Sequence, residues 1–158
     1  MNPDFDLAKG IWYPIGLSVI LLLITLLMPA KLKRQEFLFH FATVGYVVWM
    51  VNITIAAPFD IFDIGTKRDG LPELLLYGFI PPLLALIFLN FYEEGKKNIS
   101  LVFLFVIISY ILEYFTTKSE IMTSDIWEPW YSIPVFFIAY YFYLPWQLKF
   151  LRKFRETN

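Results

Sequence analysis

The feature that most constrains this chain is a series of five continuous apolar runs separated by short polar linkers. A helix that crosses the hydrocarbon core needs about 20 mostly apolar residues, because the core is about 30 Å thick and a helix rises about 1.5 Å per residue. The runs fall at about 12–30, 37–57, 71–92, 99–117 and 130–151. They predict an all-α fold in which residues 1–158 form a single polytopic domain, a bundle of five transmembrane helices.

The composition supports helices in lipid and excludes several kinds of chemistry. Hydrophobic residues make up 58% of the chain, and the runs do not alternate between apolar and polar residues as the strands of a membrane barrel would. The chain has no cysteine and one histidine, so disulfides, thiol catalysis and cysteine-ligated metals are excluded. A net charge of −1 offers no basic surplus for nucleic acid. We expect no metal and no cofactor.

Lysine and arginine are distributed unequally between the two sides of the five runs. The side that carries the C-terminus has nine and the other has four. The nine are Lys31, Lys33, Arg34, Lys96, Lys97, Lys149, Arg152, Lys153 and Arg155, and the four are Lys9, Lys67, Arg68 and Lys118. Because positive residues are retained preferentially in the cytoplasm, this distribution predicts an external N-terminus, a cytoplasmic C-terminus and an odd number of spans.

Two consecutive prolines, Pro81 and Pro82, lie near the middle of the third run. Proline removes a backbone donor and crowds the preceding turn, so we expect a break or kink of the third helix there. Such a break either packs against neighbouring helices or leaves carbonyl groups facing an ion or substrate, as in transporters. We favour the packing interpretation.

Glu113 lies within the fourth run, about one turn from its end, where an ionised carboxylate is costly without partners. Ser109 and Tyr110 lie one turn earlier on the same face and could hydrogen-bond the carboxyl group, and Lys118 could reach it from the following loop, so the sequence offers partial satisfaction by local partners. Glu73 lies near the start of the third run, on the same side of the bundle as Glu113. Two such carboxylates can share a cation or a proton. Glu73 and Glu113 are therefore candidate ligand- or ion-binding residues, although a purely structural Glu113 is equally open.

Aromatic residues open the fifth run on the same side. Trp127, Trp130 and Tyr131 occur where anchors at the membrane interface are expected. Together with the two glutamates they predict an outward-facing acidic and aromatic cavity.

The second run contains a stripe of small and polar residues and the single histidine. The stripe, which suits close helix packing, consists of Ala42, Gly45, Trp49, Asn52 and Ala56. His40 lies near the other end of this run, and Glu36 is expected in the headgroup region, so His40 has no second metal ligand at a suitable spacing. We expect a satisfied or interfacial histidine, with a proton-relay role as the alternative.

Three patches resemble a family of small multi-span membrane proteins from spore-forming, Bacillus- and Clostridium-like bacteria, a family without an established activity. The patches are Glu73-Leu74-Leu75-Leu76-Tyr77 followed by Pro81, Ile111-Leu112-Glu113-Tyr114, and Trp127-Glu128-Pro129-Trp130-Tyr131-Ser132. The resemblance covers about half of the chain. It implies a multi-pass protein of the bacterial cytoplasmic membrane and draws attention to Glu73, Glu113, Trp130 and Tyr131. In that family one residue separates the two tryptophans, whereas two do so here.

Three classes of function are open on this basis. We favour a non-enzymatic binding or complex-forming membrane protein, either homo-oligomeric or a subunit of a larger complex. The alternative is an oligomeric ion or small-solute channel or transporter, with Glu113 and the Pro81–Pro82 region lining the pathway. The second alternative is an intramembrane lipid-modifying enzyme. The lipid bilayer is the expected surrounding of all three.

Overall fold

The computed structural model describes residues 10–59, 61, 63–64, 70–124 and 126–156, and these form five helices joined by short connections. Helix α1 spans Trp12–Leu27. Helix α2 spans Arg34–Val51 and continues as a π-helical turn, Asn52–Ala56. Helix α3 consists of Leu71–Glu73, the π-helical segment Leu74–Phe79, and Ile80–Phe91.

The remaining two helices and a short sheet complete the described chain. Helix α4 spans Ile99–Lys118. Helix α5 follows the 3₁₀ turn Pro129–Tyr131 and runs through Ser132–Ile138, the π-helical segment Ala139–Tyr143 and Leu144–Glu156. Strands β1 (Asp63–Ile64) and β2 (Met122–Thr123) pair antiparallel. The five helices coincide with the five apolar runs within a few residues, so the all-α prediction is confirmed.

Three of the helices are long and apolar enough to cross a membrane. They are α2 over Arg34–Ala56, α3 over Leu71–Phe91, and α4. Helix α1 is apolar but has only 16 residues. The lengths and composition of these helices are those of a membrane bundle.

Successive helices run in opposite directions, which gives the bundle two distinct ends. Ile11, before α1, packs against Ile121, just beyond α4. At the opposite end, Glu36 in the first turn of α2 contacts Arg152 in the last turns of α5. We name these the Glu113 end and the Arg152 end, after residues that lie there. Each brings together parts of all five helices.

The core of the bundle is helix α3. Leu86 and Phe88 are 0% exposed, and nearly every residue from 80 to 90 is buried. The centroid of the Phe88 ring lies 5.4 Å from the ring centroid of Phe105 on α4 and 5.0 Å from that of Tyr140 on α5. In lipid, where apolar burial gives no net driving force between helices, such close packing is what holds a bundle together.

The outer faces of the helices carry large apolar side chains. Leu27 is 81% exposed, Leu26 68% and Phe142 59%. Soluble monomers rarely expose continuous apolar patches of more than a few hundred Å². This surface is suited to contact with lipid or with other apolar helices.

Helix α3 continues through Pro81 and Pro82 with a change of hydrogen-bond pattern. Both prolines lie in the first turn of the stretch that begins at Ile80, directly after the π-helical segment. A π-helical segment accommodates local disruption of the ordinary hydrogen-bond ladder. On α2, a Cβ added to Gly45 would lie 3.5 Å from the Pro82 ring and 3.6 Å from the Gly78 carbonyl oxygen. The helices therefore approach closely at these prolines, which favours the packing interpretation.

Candidate functional site

The carboxylate of Glu113 is held by groups that precede and begin α5. The Ser132 hydroxyl donates to Glu113 Oε1 at 2.6 Å. The Trp127 indole N–H donates to Ser132 Oγ at 3.1 Å and so holds that hydroxyl beside the carboxylate. A hydrogen bond to a carboxylate favours its charged form, so the Ser132 hydroxyl compensates part of the cost of burying it.

The residues near Glu113 in the sequence that were predicted as its partners make contacts with other side chains. Ser109 shares a hydrogen bond of 2.8 Å with the hydroxyl of Tyr140, a buried phenol of α5 that needs a partner. The Lys118 ammonium lies over the Tyr114 ring, 5.5 Å from its centroid. The prediction that Ser109 and Lys118 pair with Glu113 is therefore wrong. The rotation of α4 turns Ser109 toward the core and leaves Lys118 at the surface.

Tyr77 lies within electrostatic range of both Glu73 and Glu113. Both carboxylates act electrostatically on the Tyr77 phenol. The Tyr77 ring also packs against Trp49 of α2, with centroids 5.7 Å apart. The site thus draws on α2, α3 and α4. Sequence reasoning missed Tyr77 as a site residue, although its position one turn after Glu73 is a signal that could have pointed to it.

The three aromatic residues predicted for the site form one ring cluster. Tyr131 lies between Trp127 and Trp130, with centroid distances of 5.5 Å and 4.1 Å. Trp130 is 56% exposed and Tyr131 40%, whereas Trp127 is half-buried beside the carboxylate. The structure therefore separates Trp127, which contacts Ser132 and Glu113, from Trp130 and Tyr131, which lie further out.

The segment that carries Trp127 is fixed by contacts with the connection between α2 and α3. Ser124 Oγ accepts the backbone N–H of Trp127 at 2.8 Å and donates to the Ile61 carbonyl at 2.5 Å. The β1–β2 pairing joins the same two connections, and Ile121 beside it is 1% exposed. The indole is consequently positioned by the tertiary fold and not by its own helix.

The Arg152 end contains a buried carboxylate that was predicted to lie among the headgroups. Glu36 is 1% exposed. Its Oε1 accepts from Arg152 at 3.0 Å and from Arg155 at 3.2 Å, and its Oε2 accepts from the Lys33 backbone N–H at 3.0 Å. Helix α5 covers Glu36, and its position in the headgroup region stays a prediction.

Arg152 joins Glu36 to a second carboxylate. It donates to Glu94 Oε1 at 2.8 Å from the connection between α3 and α4. The hydrogen bond that Arg152 donates to Glu36 raises the pKa of Arg152 above its usual range. The guanidinium is therefore charged at every relevant pH, and it links the start of α2 to the α3–α4 connection.

His40 lies one turn further into the bundle than Glu36 and is 0% exposed. Its Nδ1 is 2.7 Å from Gln147 Oε1 on α5, and the Gln147 amide group also donates to Tyr143 at 3.2 Å and to Thr43. His40 Nε2 has no hydrogen-bond partner among the residues that the structure describes. The expectation of a satisfied histidine therefore holds for one ring nitrogen only, and the interfacial alternative stays a prediction.

Within the described ranges, no group of three or more His, Asp or Glu side chains is arranged to hold a metal ion. Comparisons with protein-family models, with curated proteins and with solved structures return no match.

Proposed function

We propose that the protein crosses the membrane five times, with the Glu113 end outside, and that this end binds a cationic group. The five antiparallel helices support the topology, since an odd number of spans puts the termini on opposite sides. Helix α1 is about 24 Å long at 1.5 Å per residue, which is short for the hydrocarbon core. The three residues after it and local thinning of the bilayer compensate for the difference.

The distribution of positive charge supports the orientation. The nine lysines and arginines assigned to the C-terminal side fall in the connections and helix turns of the Arg152 end. Of the four assigned to the other side, Lys118 is at the Glu113 end, and Lys9, Lys67 and Arg68 lie outside the described residues. By the positive-inside rule the Arg152 end is cytoplasmic, and resemblance to bacterial multi-span proteins suggests the cytoplasmic membrane of a bacterium.

The observation that carries the binding proposal is the environment of the Glu113 carboxylate. The Ser132 hydroxyl donates to it and is itself held by the Trp127 indole, and a second carboxylate, Glu73, lies within electrostatic range of the same phenol, Tyr77, as Glu113. Carboxylates beside indole and phenol rings make a site that attracts positive charge, either an inorganic cation or an organic ammonium group. Trp130 and Tyr131 continue the aromatic surface from this site toward the aqueous side.

The test is the thermal stability of the purified protein in lipid nanodiscs, titrated with monovalent cations, divalent cations and small organic ammonium ions. A ligand at 100 times its dissociation constant stabilises the folded state by about 2.7 kcal/mol, which gives a clear rise in Tm. We expect such a rise in the wild type and its loss in Glu113→Gln. Glu128→Gln is the matched control, because this exposed glutamate lies at the same end.

Equal responses of the wild type and Glu113→Gln would contradict the proposal. The response of the organic ions relative to the metal ions identifies the class of ligand. A response to metal ions alone would assign the site to an inorganic cation.

A channel or transporter is the second candidate, and one observation favours it. The π-helical segment Leu74–Phe79 begins directly after Glu73 and contains Tyr77, and such segments are frequent at functional sites. Cation flux into liposomes that is lost in Glu113→Gln would establish transport and not binding alone. Five helices leave little room for a pathway within one chain, so transport also requires an oligomer, which cross-linking in the same liposomes would detect.

A further inference from the structure

The hydrogen bonds around His40 determine which of its nitrogens carries hydrogen. The Thr43 hydroxyl donates to the Phe39 carbonyl at 2.7 Å, so it accepts a hydrogen from Gln147 Nε2. This orients the Gln147 amide with its oxygen toward His40, and His40 Nδ1 is therefore the donor in their 2.7 Å contact. In the neutral imidazole the hydrogen is on Nδ1, and Nε2 carries a lone pair.

That lone pair is buried and unused. Within the described part of the chain Nε2 has no hydrogen-bond partner, and the side chain is 0% exposed. A buried acceptor without a partner costs about 1–3 kcal/mol, so the bundle tolerates an unfavourable group at this position. Two surface cavities, one beside α1 and the end of α3 and one between α4 and α5, do not have His40 among their lining residues. A proton is the smallest group that this lone pair can bind.

The charged groups that act on His40 come from two helices. Glu36, one turn earlier on α2, favours a positive ring, and Arg152 on α5 opposes it. Tyr143 of α5 is connected through Gln147. Arg155 acts through Glu36, and Glu94 acts through Arg152. Residues 80–90 of α3 and 99–109 of α4 contain no titratable side chain, and in α1 Tyr13 lies at the opposite end.

Glu36 can therefore pair with two kinds of cation, the arginines and a protonated His40. With a neutral His40 it binds the two arginines. With a charged His40 it has a second cation one turn away on its own helix, while Arg152 retains its other acceptor, Glu94. The polar groups at this end can therefore be arranged in two ways that differ by one proton.

We propose that His40 Nε2 is a proton-binding site that is reached from the Arg152 end, and that proton uptake there transfers Glu36 from Arg152 toward His40. One N–H bond forms at Nε2 with a proton from water. No covalent bond breaks, and the hydrogen bonds between Glu36 and Arg152 are the contacts given up. The site is at the end of the bundle opposite Glu113 and stands independently of cation binding there.

The chain contains a single histidine, so this site can be observed directly. Protein labelled with ¹⁵N-histidine in lipid bilayers gives one pair of ring nitrogen signals in solid-state NMR. We expect the neutral ring with hydrogen on Nδ1 at neutral pH, and conversion to imidazolium on acidification while the backbone spectrum remains that of the folded protein. A ring that stays neutral at every pH at which the fold persists overturns the proposal.

Two variants test the transfer of Glu36. Arg152→Gln removes the competitor, and we expect its imidazolium to form at a pH about one unit higher than in the wild type. Lys149→Gln, an exposed lysine on the same helix, is the control and is expected to titrate as the wild type does.

Glu94→Gln keeps the test decisive if Arg152→Gln does not fold. It removes the acceptor that retains Arg152 after release, so His40 is expected to charge at lower pH. If the folded variants titrate like the wild type, the transfer is overturned.

Discussion

The two ends of the bundle treat a buried carboxylate in opposite ways. Glu36 is 1% exposed and is bound by two arginines, so its charge is matched from within the protein. The Glu113 side chain is partly exposed and accepts from the Ser132 hydroxyl, which the Trp127 indole holds, and no lysine or arginine among the described residues forms an ion pair with it. A carboxylate with donors but without a countercharge retains affinity for a cation. Because of this difference we propose cation binding at the Glu113 end. The Arg152 end is instead held together by its own ion pairs.

The largest expected effect is the loss of the matched charge. In Glu36→Ala, Arg152 and Arg155 lose their common partner. We expect a loss of about 2–3 kcal/mol of unfolding free energy, somewhat below the value for fully buried pairs, because both arginines are about one-third exposed. Reversible unfolding in lipid or mild detergent measures it.

Glu94→Gln is the control for that comparison, since Glu94 shares Arg152 but is 38% exposed at its side chain. A loss below about 1 kcal/mol is expected there. If Glu36→Ala and Glu94→Gln are equally stable, the difference in burial between Glu36 and Glu94 has no effect on stability.

A slightly smaller loss of stability is expected from the substitution of Asn90, an uncharged residue that links helix α3 to the α1–α2 connection at the Arg152 end. Its side chain donates to the Pro29 carbonyl and accepts from the Lys31 backbone N–H, both at 2.9 Å. Asn90→Ala leaves two backbone groups without partners, so we expect a loss of about 2 kcal/mol in the same unfolding experiment. In Asn98→Ala, water replaces the bonds of an exposed connection, and a loss as large as that of Asn90→Ala would contradict the assignment.

A still smaller effect is expected at the Glu113 end. Ser132→Ala removes the 2.6 Å bond to Glu113 but leaves the carboxylate near Trp127. We expect a loss of about 1 kcal/mol together with a weaker cation response in the thermal assay. Ser100→Ala, at an exposed serine of α4, is the matched control. A weakened cation response in both variants would show that Ser132 has no special part in the site.

No measurable effect is expected from the exposed pair in the α3–α4 connection. Lys96 hydrogen-bonds Glu93 and lowers the pKa of Glu93. Because the pKa is lowered in the folded state, the pair stabilises the fold at pH values above the usual pKa of a glutamate. This stabilisation is lost as the pH falls through the lowered pKa. Both groups are fully exposed, so solvent screening removes most of that contribution. Tm curves of Glu93→Gln and the wild type should superimpose between neutral and acidic pH, and a separation would show that the connection is more enclosed than the structure indicates.

The fold was largely predictable, and the partners of the polar residues were not. The five apolar runs located the helices because the length of an apolar run is a local property of the chain. Glu113 was recognised for the same reason, as a charge within such a run. Its partner Ser132 was not, and the predicted partner Ser109 proved to face Tyr140. A helix-wheel argument gives neighbours on one helix but not the direction in which that helix is turned.

The Arg152 end shows the limit most clearly. Glu36 and Arg152 are 116 positions apart, and His40 and Gln147 are 107 apart. Nothing in the sequence around Gln147 marks it as a partner for histidine, because an isolated glutamine in an apolar helix has no pattern to read. The sequence by itself determined where the helices lie, that they alternate in direction, and which side carries the positive charge. The tertiary structure alone decided which carboxylate is bound by arginines and which by a hydroxyl, because that depends on how helices distant in the chain are rotated against one another.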